Sequence, residues 1–168
     1  MPITGKFDAD RGDLVLTRTV LAPRDRIWEH LSSSDRLETW FGTFSGDPTS
    51  GRVMVTMLAE PGEAAPTEYV IHACEKGLLL TVSSGMGEDT WRLSLTLADA
   101  DADSGDGGAV VSLRHHDLPA DMLEHVGPGW EWYLDRLTGA VTGGVIPGMD
   151  VWNSEYMSLS AEYAALAR

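Results

Sequence analysis

The alternation of apolar and polar positions changes period along this chain, and each change marks an element. Residues 1–12 are polar and contain glycine, which predicts a flexible N-terminal arm. Residues 13–21 are rich in leucine, valine and threonine and read as a first strand, stopped by Ala22-Pro23. Proline suits a first helical turn, and Asp25 and Glu29 sit where the helix dipole favours negative charge. Ile27, Trp28 and Leu31 follow at helical spacing, and after Ser32-Ser33-Ser34 the pattern repeats in Leu37, Trp40 and Phe41. Two short helices after one strand predict a bracket across one end of a sheet.

The middle of the chain alternates with period two. Residues 51–58, 67–74, 78–83, 88–97 and 110–117 read as strands, separated by the turn-forming stretches 60–66, 75–77, 84–87 and 98–108. In the fourth, Trp91, Leu93, Leu95 and Leu97 share one face, and Thr90, Arg92, Ser94 and Thr96 share the other. A hairpin that pairs Leu97 with Ala109 sets Leu95 against Val111, Leu93 against Leu113 and Trp91 against His115. Its inner face is then apolar except for one imidazole beside one indole.

After Leu118-Pro119 the period becomes helical: Trp130, Leu134, Leu137 and Val141 form the strongest stripe in the chain, with Tyr133 beside them. Gly127-Pro128-Gly129 precedes this helix, and Gly143-Gly144 with Pro147-Gly148 ends it. Asn153-Ser154 caps a short last helix carrying Tyr156, Leu159, Tyr163 and Leu166 on one side. The pattern predicts an α+β fold, a curved antiparallel β-sheet of about six or seven strands wrapped around a long C-terminal helix. The domain spans residues 13–142, and 143–168 form a C-terminal extension with a short helix.

Composition narrows the function classes. The chain carries 26 acidic against 12 basic residues, a net charge of −14, which repels phosphate backbones and anionic headgroups. Nucleic acid and membrane surfaces are therefore not expected as partners, whereas a cation, a basic protein face or an uncharged small molecule is compatible. Solubility alone also accounts for such a charge. Cys74 is the single cysteine, and it is read as a buried structural thiol in a reducing compartment. No secretory pattern opens the chain and no apolar run reaches the roughly 18 residues of a membrane span, so a cytoplasmic location is expected.

The order of elements resembles that of the START-like, polyketide-cyclase-like (SRPBCC) superfamily, whose fold is the helix grip. Ala22-Pro23, Ile27-Trp28, Leu31 and Trp40 resemble its opening motif, and Val126-Gly127-Pro128-Gly129-Trp130 with Leu134 and Leu137 resembles its closing helix. Within it, the chain is similar to the branch containing the C-terminal domain of the activator of heat-shock-protein-ninety ATPase. The resemblance covers residues 13–142 and rests on packing residues, so it implies a fold more than an activity. It also implies a possible chaperone partner and a role in stress response.

A strongly curved sheet cannot be filled by one straight helix, which predicts an elongated cavity between them. The candidate lining is Trp40, Val55, Met57, Leu80, Trp91, Leu93, Leu113, His115, Trp130 and Leu134. The alternative is that these side chains meet and fill the space. His115, His116 and Asp117 suggest a metal site, but strand alternation leaves only His115 and Asp117 on one side. A third ligand requires His72 to face inward. A three-residue turn after Cys74 places it so, and a two-residue turn places Tyr69 and Ile71 there instead. No metal and no cofactor is therefore expected. The alternate aspartates of 99–106 lack the glycine position and terminal glutamate of a calcium loop. Trp132 lies off the stripe and is expected to pack on the C-terminal helix or a partner chain.

The leading expectation is a binding domain for a small apolar or amphipathic molecule, oriented by His115, Arg114 or Tyr69. A chaperone-associated interaction module is the alternative, and a cyclase or hydrolase using His115 is a third. Monomer and dimer are both open.

Overall fold

A computed structural model of the chain describes residues 2–86, 89–101 and 107–167. In chain order the elements are β1 (Lys6–Asp8), β2 (Asp13–Val20), α1 (Arg24–Ser32), α2 (Ser34–Leu37), β3 (Gly42–Ser45), β4 (Arg52–Met57), β5 (Thr67–Glu75), β6 (Leu79–Met86), β7 (Asp89–Asp99), β8 (Ala109–His116), α3 (Leu123–Thr142) and α4 (Ser160–Ala165). The eight strands form one antiparallel sheet in the order β1-β2-β8-β7-β6-β5-β4-β3, curved around α3 in the helix grip that the pattern predicted. The strand count exceeds the expected six or seven because β1 and β3 are only three and four residues long, too short for alternation to register. β1 lies within the stretch expected to be a flexible arm, and it pairs with β2 from Lys6↔Val15 to Asp8↔Asp13.

The β7–β8 hairpin keeps its predicted faces but not its predicted pairs. Leu97 meets Val111, Leu95 meets Leu113 and Leu93 meets His115, because β7 runs on to Asp99, which pairs with Ala109. A slip of two residues preserves the side that each residue faces, whereas a slip of one would turn every leucine to solvent. Trp91 still touches His115, diagonally, with ring centroids 4.7 Å apart. Gly87 and Glu88 in the β6–β7 turn, and residues 102–106 of the aspartate run weighed as a calcium loop, lie outside the described residues.

On β5, the turn is neither of the two expected, since residues 76–78 join Glu75 to Leu79, and a bulge at His72 sets which side chains face inward. Pairing steps from Ile71↔Val82 to Ala73↔Thr81, so Tyr69 and Ile71 face inward. His72 points out, exposed, with its Nε2 2.7 Å from the Ser83 hydroxyl. Hydrophobicity wins over the inward histidine. In α3, Gly127-Pro128-Gly129 does not precede the helix but lies inside it. The reason for glycine at 127 is contact: a Cβ there would stand 2.2 Å from the Tyr163 ring, and one at Gly5 would stand 2.5 Å from the same ring. α3 ends as predicted at Gly143, in left-handed conformation (φ 74°) with its N–H bonded to the Gly139 carbonyl.

Residues 143–167 lie against α3, with Tyr156, Leu159 and Tyr163 buried in the same core as Leu134, Leu137 and Val141. Trp132 packs edge-on to Trp152 in this segment, with the Arg136 guanidinium 4.7 Å from its ring centroid. No described helix is long and apolar enough to cross a membrane.

A polar cluster ties both ends of the chain to α3. Glu131 is fully buried, and its carboxylate accepts from the Thr4 N–H at 2.6 Å, from the Tyr163 hydroxyl and from the Arg18 guanidinium. One turn on, Asp135 accepts from Arg18 at 3.2 Å and from the Tyr156 hydroxyl at 2.9 Å. Burial alone would raise the pKa of Glu131. The Thr4 and Tyr163 hydrogen bonds and the Arg18 charge outweigh it and hold the pKa below the ordinary 4.5. A carboxylate with a depressed folded pKa contributes stability that is complete above the unfolded value and is lost as pH falls through the folded one. Glu131→Gln is therefore expected to cost about 3 kcal/mol near neutral pH, where it leaves Arg18 without its buried partner. Urea unfolding should show the gap to the parent protein narrowing below pH 4.5, and an equal gap throughout would contradict the assignment.

Candidate functional site

The curvature of the sheet leaves two adjoining hollows between its inner face and α3. The first, about 140 Å³, is walled by Trp28 and Leu31 of α1, Leu37 of α2, the following Trp40 and Phe41, and inward residues of β4 to β8, with Trp130 as its helix-side wall. Apart from its indoles, the polar side chains of its lining are Ser32, Tyr69 and Cys74. An apolar cavity of about this size stays dry and accepts a benzene-sized molecule. The second, about 250 Å³, lies under the first turns of α3 and is lined by Met57, Glu60, Trp91, Met122, His125, Val126 and Tyr133, among others. Phe41, Tyr69, Leu93 and Trp130 border both, so these four side chains stand between the two compartments.

Most of the residues expected at such a cavity are there. Trp40, Val55, Leu80, Leu93, Leu113 and Trp130 line the first compartment, and Met57, Trp91, Leu93 and Trp130 the second. Leu134 and His115 line neither. Leu134 is a buried residue of the core, one turn beyond Trp130, where α3 packs against β2 and α1. His115 is 2% exposed and covered by two indoles, with Trp91 at 4.7 Å and Trp130 at 6.0 Å between ring centroids. Cys74 was expected to be buried, but it is exposed while bordering the first compartment, so the cavity reaches solvent there.

The chemistry of His115 follows from its partner. The Trp130 indole N–H donates to His115 Nδ1 at 3.1 Å, which requires the neutral ring protonated on Nε2. Burial is the main cause of a pKa lowered to about 4, with the neighbouring His116 adding to it and Asp13 opposing. This imidazole holds the helix to the sheet and has no open path to a bound molecule. The proposed metal pair fails as well, because Asp117 has left the strand with φ 53° and its N–H donates to Asp13. His116 faces the opposite side, 2.8 Å from the Ser94 hydroxyl. Arg114 also points away, bonded to Asp13 at 2.8 Å. Among the described residues no group of three or more histidine, cysteine or acidic side chains could hold a metal ion.

Sequence reasoning missed the polar feature of the second compartment. The Tyr133 hydroxyl donates to Glu60 Oε1 at 2.8 Å. Burial first, and then the Glu60 charge, push the Tyr133 phenol far above its ordinary value, so it is always a donor. Tyr133 stands at i+3 from Trp130, which signals a place on the same helix face. Glu60 lies 73 residues away in a proline- and glycine-rich loop, and nothing local points to it.

Residues 21–142 match the model of the family described as "Activator of Hsp90 ATPase homolog 1-like protein". Among solved structures, CalU16 from Micromonospora echinospora is similar with a TM-score of 0.71 and 23% identity, over 99% of this chain and 96% of that one. The protein encoded by gene BPP1335 of Bordetella parapertussis gives 0.68 and 18%, over 99% and 91%. Protein Ms6760 of Mycobacterium smegmatis gives 0.66 and 20%, over 84% and 96%. At these identities the likeness establishes the fold alone. No curated protein matches the chain.

Protonation of His115 favours the unfolded chain, so its contribution to stability is complete above the ordinary 6.5 and declines as pH falls toward 4. Nitrogen NMR is expected to show the Nε2–H tautomer unchanged down to about pH 5, and a ring that titrates near its ordinary value would contradict the burial argument. His115→Phe, which strips the Trp130 N–H of its acceptor, should cost about 1–3 kcal/mol in urea unfolding.

Proposed function

The chain belongs to the activator of Hsp90 ATPase homolog 1-like family, and from that premise we propose that it is a binding domain holding a small apolar or amphipathic molecule between sheet and α3. The observation that carries this reading is the two-compartment cavity, whose walls are almost entirely apolar and aromatic. Filling such a space removes apolar surface from water. A ligand burying about 400–500 Å² gains roughly 10–12 kcal/mol, which the loss of translational and rotational freedom reduces to an affinity in the micromolar range. No acid–base group of the kind a cyclase or hydrolase needs is offered by His115, which lies behind Trp91 and Trp130.

A neutral fluorescent probe such as N-phenyl-1-naphthylamine is expected to bind with micromolar affinity and enhanced emission. Leu93 borders both compartments and Leu113 the first, so Leu93→Trp and Leu113→Phe should weaken binding about tenfold or more while circular dichroism stays unchanged. A probe that stays dark, or one indifferent to both substitutions, would remove the cavity from the function.

The family match favours a second reading, an interaction module for an Hsp90-type chaperone, with the −14 surface meeting a basic patch. It leads to the expectation of salt-sensitive association and altered ATP turnover by the chaperone. Absence of both at low ionic strength would dismiss it.

A further inference from the structure

Resting on the binding reading above, the geometry points to a narrower class of ligand: we infer that the occupant is an amphipathic cation, an ammonium group on an apolar body. The two compartments differ in chemistry. The first offers hydrocarbon and aromatic walls with no charged side chain. The second brings together five aromatic rings, Phe41, Tyr69, Trp91, Trp130 and Tyr133, with one carboxylate, Glu60. Consecutive rings in this wall lie 5.1 Å (Phe41–Tyr133), 5.8 Å (Trp130–Tyr133) and 6.1 Å (Trp91–Trp130) apart, a chain of mutually tilted rings. Aromatic rings carry negative charge on their faces and attract cations, most strongly where water is excluded.

Glu60 makes this wall selective for sign. Tyr133 holds one of its oxygens at 2.8 Å, which fixes the carboxylate at the border of the compartment. Glu60 forms no salt bridge among the described residues. The nearby cation, Arg136, lines neither compartment; it donates to the carbonyls of Trp40 and Pro147 and lies over Trp132. His125 is the one side chain of the lining that can become positive, and it stands 3.4 Å from Glu124, which offsets it. The net charge of −14 adds a long-range field that draws cations and repels fatty acids and other anionic amphiphiles. Phe41, Tyr69, Leu93 and Trp130 stand between the compartments, and the proposed ligand displaces these side chains to put its apolar body in the first and its ammonium in the second.

The test is competition against bound N-phenyl-1-naphthylamine by three amphiphiles of equal chain length: octyltrimethylammonium, octanol and octyl sulfate. It is run near physiological salt, so that the diffuse field is screened. Octyltrimethylammonium is expected to compete at about tenfold lower concentration than either of the others. Glu60→Gln, which keeps an acceptor for Tyr133, should remove most of that advantage and leave octanol unchanged. Glu162→Gln deletes the same charge on α4, away from both compartments, and should have no effect. Equal competition by all three amphiphiles, or equal losses in the two glutamine variants, overturns the cation assignment and leaves the binding reading standing. Absence of probe binding together with absence of heat from any of the three in calorimetry fails the binding reading itself.

Discussion

One polar contact between α3 and the inner face of β8 sets how the helix stands on the sheet. Trp130 reaches down from the helix and donates its indole N–H to His115 on β8, and Trp91 on β7 closes over the same imidazole. A buried donor and a buried acceptor that satisfy one another fix a distance in a way that leucines, which slide, do not. Both cavity compartments border Trp130, so the residue that anchors the helix is also a wall of each hollow.

The two flanks of α3 have opposite characters although one residue separates them. Trp130 looks into the hollow, while Glu131 looks into a closed cluster with Thr4, Arg18 and Tyr163. The first flank is lined mostly by apolar and aromatic side chains and borders both compartments. The second is satisfied from within, by groups from the first strands and the last helix. A charge of this kind, fully desolvated and fully hydrogen-bonded, specifies one arrangement of its partners even where its net contribution to stability is modest.

Much of this was legible in the sequence, and the exceptions have physical causes. The α3 stripe and the Trp91–Leu97 alternation identified helix, sheet and inner face, because burial imposes those periods directly. The hairpin register slipped by two because nothing in an acidic loop says where pairing stops, and the slip cost nothing in facing. Gly127-Pro128-Gly129 reads by propensity as a stretch preceding the helix, yet it lies within it, and the Tyr163 ring occupies the space that Gly127 leaves. Glu131 escaped notice since an acidic residue beside a tryptophan stripe is ordinarily at the surface. The Glu60–Tyr133 pair spans a sequence distance over which no local pattern operates.

The strand order has a kinetic consequence. β2 is made early, but its inner neighbour is β8, and the Thr17 and Ser112 hydroxyls that meet across them are 95 residues apart. Until β8 leaves the ribosome, β2 has only the three-residue β1 to pair with, and its apolar leucines wait without a core. Closure of that long loop is the slow, entropically costly event expected to limit folding. The nascent chain is thus most exposed to aggregation in the interval before β8 emerges.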